Sequence, residues 1–189
     1  MNNDIFDDNK ILYEKFQEKT IESKLVFSGQ ILNVFFDKVL LPNLKSATRE
    51  KVSHPGAVAV VPVCSNGSII LVKQFRYPIK KVLIEIPAGK LDSKEPPIEC
   101  AKRELYEEVG VVNGKIKHLV TIYTSPGFSD ELMEIYMATD FIENDNNPDH
   151  DEFLHVFKAS MDECIEMIKN GQITDAKTII GILFAKFLI

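Results

Sequence analysis

The sequence contains few cysteines and no long uninterrupted apolar run. Cys64, Cys100 and Cys164 are widely spaced and form no CxxC pair, which argues against a disulfide framework or a zinc site. The longest apolar stretch, residues 179–188, is interrupted by a glycine and a lysine and is too short to span a bilayer. The polar, acidic start MNNDIFDDNK does not resemble a secretory signal. These absences predict a soluble protein of the reducing cytoplasm.

Positive charge is also scarce. The chain has 22 Lys and Arg residues against 28 Asp and Glu residues, a formal net charge of -6. This balance offers no electrostatic reason to expect a nucleic-acid partner. An acidic protein can still act on an anionic phosphate compound, but it then needs local positive charge or a bound cation. We therefore look for a site that could hold a divalent metal.

Strand-like and helical patterns are interspersed along the chain, without internal repeats. A helical mix over residues 5–19 is followed from Lys24 by extended segments, which predict a small antiparallel sheet. The break at residues 54–56 precedes two apolar runs joined by Asn66-Gly67, a strong hairpin signal. We predict an N-terminal sheet module over residues 1–53 and a second domain over 54–189.

The second domain contains three helical patterns. The first covers residues 96–109 and ends at Gly110, a typical C-terminal cap. The second begins at the capping box formed by Ser160 and Glu163, and Thr174 opens the third. Helices interspersed with hairpin-linked strands predict an α+β fold, in which a mixed β-sheet is sandwiched between helices.

The helix over residues 96–109 is rich in carboxylates. Glu104 and Glu108 stand one turn apart and border the apolar stripe, with Glu107 about 80° round the helix. Clustered anions at a half-buried edge repel one another, and a bound cation relieves that repulsion. Magnesium prefers such oxygen ligands and bridges carboxylates to phosphates. Glutamate-rich helix faces are nevertheless usually just solvated, and this helix alone favours that interpretation.

The spacing of the surrounding residues changes the balance. It fills every fixed position of G-x5-E-x7-R-E-U-x-E-E-x-G-U, where U is aliphatic, and so resembles the signature of the Nudix hydrolase superfamily. The resemblance implies that Glu104 and Glu108 are the principal metal ligands, with Glu107 as a further one. It also implies that the carbonyl oxygen of Ala88 joins the coordination. The matching positions are Gly89, Glu95, Arg103, Glu104, Leu105, Glu107, Glu108, Gly110 and Val111.

Two of these positions resemble the internal salt bridge of the family. Arg103 and Glu95 are implied to form an ion pair that shapes the loop before the helix. We interpret that pair as structural.

Other segments resemble the ADP-ribose pyrophosphatase branch of the superfamily. Pro126 lies 16 residues after Gly110, within the string SPGFSDE, and the strings HPGAVAVVPV, KQFRYP and IEIPAGKLD are also similar to that branch. The resemblance extends from about Lys24 onward. It implies Mg²⁺-dependent hydrolysis of ADP-ribose to AMP and ribose 5-phosphate, with Mn²⁺ as the alternative ion.

The same resemblance implies residues that bind the substrate. The loop of Pro126, Gly127 and Phe128 is expected to approach the terminal ribose and the metals, although by itself it reads as a turn beside a core residue. Arg76 is expected near the substrate phosphates, where a planar guanidinium suits the oxygens. Glu85 resembles a substrate or inter-subunit contact.

Arg49 is a weaker candidate of the same kind. Without the family, arginines at such positions are usually surface residues.

A general base is expected from an acidic, turn-prone loop over residues 144–152. Glu152 best matches the loop glutamate of the family, either as the base or as an additional metal ligand. Related chains often carry another glutamate where this one has His150 or Asp151, which leaves the assignment along the loop open. Together with Glu107 and Glu108, Glu152 completes the predicted catalytic set.

The apolar residues of the N-terminal module exceed what a small sheet can bury alone. They include Val26, Phe27, Val34, Phe35 and Phe36. In the family this module pairs two subunits, which complete each other's adenine pocket, so a homodimer is expected. The alternatives are a Nudix hydrolase of another nucleotide sugar, of NADH or of a damaged nucleotide, and a Nudix domain that senses ADP-ribose without turnover.

Overall fold

The computed structural model describes residues 12–148 and 152–188, and the contacts divide the chain into two units. The first unit contains the described residues up to His54 together with Ser125–Asp130. The second contains Pro55–Thr124 and the described residues from Glu131 onward.

The first unit is built on a three-stranded antiparallel sheet in the order β1-β2-β3. The helical mix expected over residues 5–19 lies partly outside the described residues, and residues 12–16 are helical. The first strand begins at Lys19, five residues before the predicted start, because Lys19 pairs with Leu40 across the sheet. Cross-strand pairing thus overrides the local pattern. The strands are β1 (Lys19–Ser28), β2 (Asn33–Leu40) and β3 (Ser46–Ser53).

Residues 125–130 belong to this first unit although they lie far along the chain. The Val52 amide donates to the Phe128 carbonyl at 2.7 Å, and the Asp130 amide donates to the Val52 carbonyl at 3.1 Å. The Asp130 carboxylate also accepts from the His54 amide at 2.9 Å. These bonds attach the segment to the end of β3.

The second unit contains nine strands and three helices among its described residues. Its central sheet has the order β7-β4-β10-β9, with β4 and β10 parallel and the other pairs antiparallel. A three-stranded antiparallel sheet has the order β12-β5-β6, and β11 pairs with β8. The strands are β4 (Ala57–Pro62), β5 (Ser68–Arg76), β6 (Lys81–Glu85), β7 (Ala88–Lys90), β8 (Val111–Val112), β9 (Lys115–Tyr123), β10 (Leu132–Thr139), β11 (Ile142–Glu143) and β12 (Leu154–Ser160), and the helices are α1 (Pro97–Val109), α2 (Met161–Lys169) and α3 (Ala176–Lys186).

Strand β4 lies at the centre of this unit, and all six of its residues are buried. Successive side chains of a strand point to opposite faces, so Val58 and Val60 pack in the core under α1 while Ala59 and Val61 pack in the core under α2 and α3. The predicted α+β fold with a sheet between helices is therefore confirmed.

The turn predicted at Asn66-Gly67 is present, but the hairpin is not a long one. The Gly67 amide donates to the Cys64 carbonyl at 2.8 Å, and Gly67 has a φ of 81° that suits glycine. Beyond one antiparallel bridge between Val63 and Ile69, the strands β4 and β5 belong to different sheets. The predicted turn is thus present, while each strand pairs over most of its length with a strand other than its neighbour in the chain.

The helix ends follow the predicted caps closely. Gly110 ends α1 with a φ of 68°, and a Cβ there would lie 2.0 Å from the Asn144 carbonyl oxygen. The capping box of Ser160 and Glu163 is confirmed. The third helix begins at Ala176 rather than at Thr174, because the Asp175 carboxylate accepts from the Thr178 amide at 3.0 Å and caps it. None of the helices in the described ranges is long and apolar enough to cross a membrane.

Candidate active site

Helix α1 presents two buried carboxylates on one side. Glu104 is 7% exposed and Glu108 is 2% exposed, as their position at the border of the apolar stripe predicts. Glu104 lies directly over Gly89 of β7, where a Cβ would come within 1.8 Å of the carboxylate oxygen. Only glycine leaves room for that carboxylate. The first glycine of the signature therefore makes space for a glutamate 15 positions later.

The second carboxylate is held by the strand that precedes the loop. The Ala88 amide donates to Glu108 Oε2 at 3.1 Å, while β7 pairs with β4 through Ala88 and Ala59. Burial, together with the negative charges of Glu104 and Glu152, raises the pKa of Glu108 to about 8. Burial likewise raises the pKa of Glu104 to about 7, although the adjacent Arg103 opposes the shift. Both carboxylates are costly to keep ionised without a cation.

Arg103 organises the outer edge of this cluster. Its Nε and Nη2 each donate to the Glu95 carboxylate at 3.0 Å, which confirms the predicted ion pair. Its Nη1 donates to Glu104 at 2.7 Å and to Glu107 at 2.9 Å. The hydrogen bonds from Arg103 lower the pKa of Glu95 to about 2. One guanidinium therefore joins the loop glutamate to two of the three signature glutamates of α1.

The residues fit a magnesium ion that keeps part of its water shell. Buried, mutually repelling carboxylates at Glu104 and Glu108 supply hard oxygen ligands, and Gly89 leaves the cradle that Glu104 occupies. Within the described residues, no three acidic, histidine or cysteine side chains form a ready-made metal cage. Magnesium does not require one, since it is commonly held by one or two carboxylates together with waters and substrate phosphates.

A second charged cluster joins two residues predicted to contact the substrate. Arg76 at the end of β5 donates to Glu85 at the end of β6, from Nε at 2.7 Å and from Nη2 at 2.6 Å. The Glu85 side chain is only 1% exposed. Lys177 of α3 donates to the same carboxylate. The negative charge of Glu108 contributes to raising the pKa of Arg76, so this cluster lies within electrostatic reach of the carboxylates of α1.

The first half of the predicted catalytic loop is anchored to the end of α1. The amides of Asn144 and Asn147 donate to the carbonyls of Gly110 and Glu107 at 2.8 and 3.0 Å, and the Asn146 side chain donates to the Glu108 carbonyl at 2.9 Å. These bonds satisfy carbonyl groups that a helix end leaves without partners. Residues 144–147 are therefore held in place rather than free to move over a substrate.

The second half of the loop is described only at Glu152. Its carboxylate is half-buried and is close enough to raise the pKa values of both Glu104 and Glu108 by charge repulsion. The alternative candidates His150 and Asp151 lie outside the described residues.

The other predicted substrate residues belong to the first unit. Arg49 of β3 forms a bidentate ion pair with Glu18, with Nε–Oε2 at 2.8 Å. Pro126, Gly127 and Phe128 form an exposed turn that is closed by a hydrogen bond from the Phe128 amide to the Ser125 carbonyl at 3.1 Å. Phe128 is 58% exposed, so the alternative interpretation of Phe128 as a core residue is wrong.

Two residues of these clusters were missed from the sequence. Lys177 and Asn146 reach their partners from segments 92 and 38 residues away. A lysine in the first turn of a helix and an asparagine in a polar loop carry no spacing signal of their own.

Comparisons with known proteins agree with this geometry. A family model described as NUDIX domain matches residues 53–179. The chain is 40% identical over 173 residues to the ADP-ribose pyrophosphatase of Bacillus subtilis (strain 168), covering 90% of this chain and 94% of the relative. It is also 40% identical over 171 residues to the methanol dehydrogenase activator of Bacillus methanolicus, covering 89% and 92%. The crystal structure of an ADP compounds hydrolase matches with a TM-score of 0.81 at 18% identity, covering 91% of this chain and 94% of that chain.

The chain belongs to the Nudix family. Its signature and its buried glutamate pair on α1 fall in the second unit, and the match over residues 53–179 covers most of that unit. Nudix hydrolases generally use a divalent metal, in keeping with a site whose carboxylates carry raised pKa values.

Proposed function

We propose that this protein hydrolyses the pyrophosphate bond of ADP-ribose to AMP and ribose 5-phosphate in a Mg²⁺-dependent reaction in the cytoplasm. The observation that carries the proposal is the buried pair Glu104 and Glu108 inside a complete signature, in a chain 40% identical to an ADP-ribose pyrophosphatase over 90% of its length. The three cysteines are free, which suits a reducing compartment.

The proposed metal site uses Glu104, Glu108, Glu107 and the Ala88 carbonyl oxygen. These residues would hold a Mg²⁺ ion, which would supply positive charge to neutralise the phosphates and to lower the pKa of the attacking water. The Arg103 guanidinium holds two of these glutamates in position.

The remaining steps are assigned to side chains around that site. Glu152 is proposed to accept the proton of the attacking water, since its charge acts on both Glu104 and Glu108. Arg76 is proposed to bind the phosphate oxygens, because only Nε and Nη2 donate to Glu85 and its Nη1 donates to no described residue.

Recognition of the sugar is assigned to the first unit. Pro126, Gly127 and Phe128 form an exposed turn whose backbone is fixed to β3, which suits a preorganised contact with the terminal ribose. Arg49 is proposed as a further substrate contact, with Glu18 as the group that it would exchange for a phosphate.

The substrate class can be tested with a panel. ADP-ribose should be hydrolysed with a higher kcat/KM than ATP, GTP or dCTP, because a triphosphate lacks the second sugar and gains less transition-state binding energy. The assay measures release of the nucleoside monophosphate, which is AMP for ADP-ribose, with Mg²⁺, with Mn²⁺ and with a chelator. NADH serves as a matched compound that keeps the ADP moiety and the second ribose and adds a nicotinamide ring, whereas GDP-mannose keeps the pyrophosphate and changes both the base and the sugar. A triphosphate at the head of the ranking would reject the proposal, as would turnover unaffected by the chelator.

We further propose that the first unit forms a homodimer interface. All ten residues of β1 are exposed in the single chain, and they include Ile21, Leu25, Val26 and Phe27, each more than half exposed. Phe36 of β2 is 44% exposed as well. An isolated three-stranded sheet with so many exposed apolar side chains is typical of a surface that a partner covers.

The dimer is tested by light scattering at micromolar concentration. The wild-type protein should have twice the mass of the chain, and the double substitution Leu25→Glu and Phe27→Glu should yield a monomer, since it places charges in an apolar interface. Leu44→Glu is the matched control, because Leu44 is 79% exposed in the turn between β2 and β3. A wild-type monomer with full activity would refute the proposed interface.

A further inference from the structure

Glu85 is a buried carboxylate shared by two cations from different parts of the second unit. Arg76 binds it through two hydrogen bonds, and Lys177 binds the same Oε2 that Arg76 Nη2 contacts. The Lys177 side chain is itself only 11% exposed. Burial would raise the pKa of Glu85, but the hydrogen bonds and charges of Arg76 and Lys177 outweigh burial and lower it. Glu85 is therefore an ionised group that depends on both cations.

The Lys177 ammonium is fixed from the helix side as well. Its Nζ lies 3.0 Å from Asp175 Oδ2. The Asp175 carboxylate in turn accepts hydrogen bonds from the Thr178 amide at 3.0 Å and from the Thr178 hydroxyl at 2.6 Å. The same Thr178 hydroxyl oxygen accepts a hydrogen bond from the Ile86 amide at 2.9 Å. The start of α3 is thus attached to the residue that follows Glu85, which leaves the ammonium little freedom to move away.

The charge count of this cluster shows what Lys177 contributes. Arg76 and Lys177 are positive, while Glu85 and Asp175 are negative, so the four groups together are neutral. Without Lys177 the cluster would carry a net charge of -1. Arg76 would then be the sole cation on a buried carboxylate, and its positive charge would be largely cancelled before a phosphate could approach.

We propose that Lys177 is a positioning residue of the active site, which acts through Glu85 to orient Arg76 and to preserve its positive charge for the substrate phosphates. The identity of the substrate in this inference rests on the proposed function, whereas the contacts of Lys177, Glu85 and Arg76 do not depend on it. Lys177 does not contact the reacting groups in this scheme; Arg76, 38% exposed and within electrostatic reach of Glu108, is the group that does.

The test compares Lys177→Met with Lys186→Met. Both residues lie on α3, but Lys186 is 45% exposed and its nearest acidic partner, Asp162, is 3.9 Å away. Methionine keeps the length of the stem and removes the ammonium group, with its charge and its hydrogen-bond donors. Lys177→Met should lower kcat/KM for ADP-ribose about 10- to 100-fold, the range expected for losing one charge-assisted contact. Most of this loss should appear as a higher KM, because Arg76 binds phosphate before and during the reaction.

Two further variants separate a positioning role from a merely structural one. Lys177→Arg should restore most of the loss, since it keeps the charge on Glu85. In an Arg76→Gln background, Lys177→Met should cost little more, because its effect passes through Arg76. Losses that simply multiply in the double variant would overturn the proposal, and so would a wild-type KM in Lys177→Met.

An NMR measurement tests the link between Lys177 and Arg76 without any substrate. The Arg76 Nε–H signal, which reports the hydrogen bond to Glu85, should shift in Lys177→Met and stay unchanged in Lys186→Met. If wild-type protein failed to hydrolyse ADP-ribose, the proposed function would fall, yet this shift would still test the link from Lys177 to Arg76. An unchanged signal in a Lys177→Met protein with a wild-type melting curve would reject that link.

Discussion

Glu108→Gln should lower kcat for ADP-ribose by about three orders of magnitude or more while leaving the fold intact. The substitution keeps the side-chain volume and an oxygen that can accept from the Ala88 amide, but it removes an anionic ligand from the proposed metal site. A metal site supplies several kcal/mol of transition-state stabilisation, and about 1.4 kcal/mol corresponds to each factor of ten. Single-turnover rates at saturating Mg²⁺ and the affinity for Mn²⁺ measured calorimetrically would check both parts.

The same substitution should not destabilise the metal-free protein. Burial raises the pKa of Glu108 to about 8 from an ordinary value of 4.5. A carboxyl whose pKa is raised on folding destabilises the folded state once the pH exceeds its ordinary value, because the ionised form is then disfavoured only in the folded protein. A neutral glutamine avoids this cost. The melting temperature without metal at pH 8 should therefore stay the same or rise, opposite in sign to the effect on activity.

Glu99→Gln is the matched control for this experiment. Glu99 lies on the same helix, with a side chain that is 54% exposed and paired with Lys102. The control should leave kcat unchanged, since an exposed ion pair contributes little. A Glu108→Gln protein that turned over ADP-ribose at nearly the wild-type rate with Mg²⁺ would show that the metal assignment is wrong.

Glu152→Gln should lower kcat by about 10²- to 10⁴-fold, the usual contribution of a general base, and weaken Mg²⁺ binding only modestly. The physical reason is that these glutamates have different proposed roles. Glu104 and Glu108 on the helix are the proposed metal ligands, whereas Glu152 lies at the end of the loop and acts on them by its charge. Measurement of kcat across a range of Mg²⁺ concentrations separates the two effects, because a lost ligand raises the Mg²⁺ concentration needed for half-maximal activity, whereas a lost base lowers kcat and leaves that concentration nearly unchanged.

Glu143→Gln is the control on the other side of the loop. Glu143 pairs with Lys158 at 2.7 Å on the surface, so its loss should leave kcat unchanged. Asp151→Asn should have a milder effect than Glu152→Gln. If Glu152→Gln changed only the melting temperature, Glu152 would be a structural residue of the loop, and a kcat loss at His150 or Asp151 instead would move the base along the chain.

The local features of this protein were predictable because each is encoded within one or two helical turns. The positions of Glu104 and Glu108 on one side of α1 follow from a spacing of four residues in a helix. The glycine that ends α1 and the capping box of Ser160 and Glu163 likewise depend only on near neighbours. Gly89 was identified only through the resemblance to the family, and the structure shows that a side chain at this position would collide with the Glu104 carboxylate.

The errors lie where a distant partner decides the outcome. The first strand begins at Lys19 because β2 extends to Leu40, and β4 leaves its hairpin partner because β10 offers a longer parallel pairing. Local propensity cannot weigh such alternatives, since the free energy of strand pairing depends on residues that are remote in the sequence. The attachment of residues 144–147 to the end of α1 likewise depends on contacts between segments that are remote in the sequence.

By itself the sequence determined the chemistry that the chain can offer: an acidic protein with a complete signature and carboxylates one turn apart on an amphipathic helix. Only the tertiary structure decided which charged side chains contact one another. Arg76, Glu85 and Lys177 come from two strands and a helix, and Arg76 and Lys177 are 101 residues apart in the sequence. It also decided that residues 125–130 join the first unit through β3. Hydrophobic periodicity predicts which face of a single segment is buried. A buried carboxylate shared by two cations forms only when the sheet and the last helix pack together.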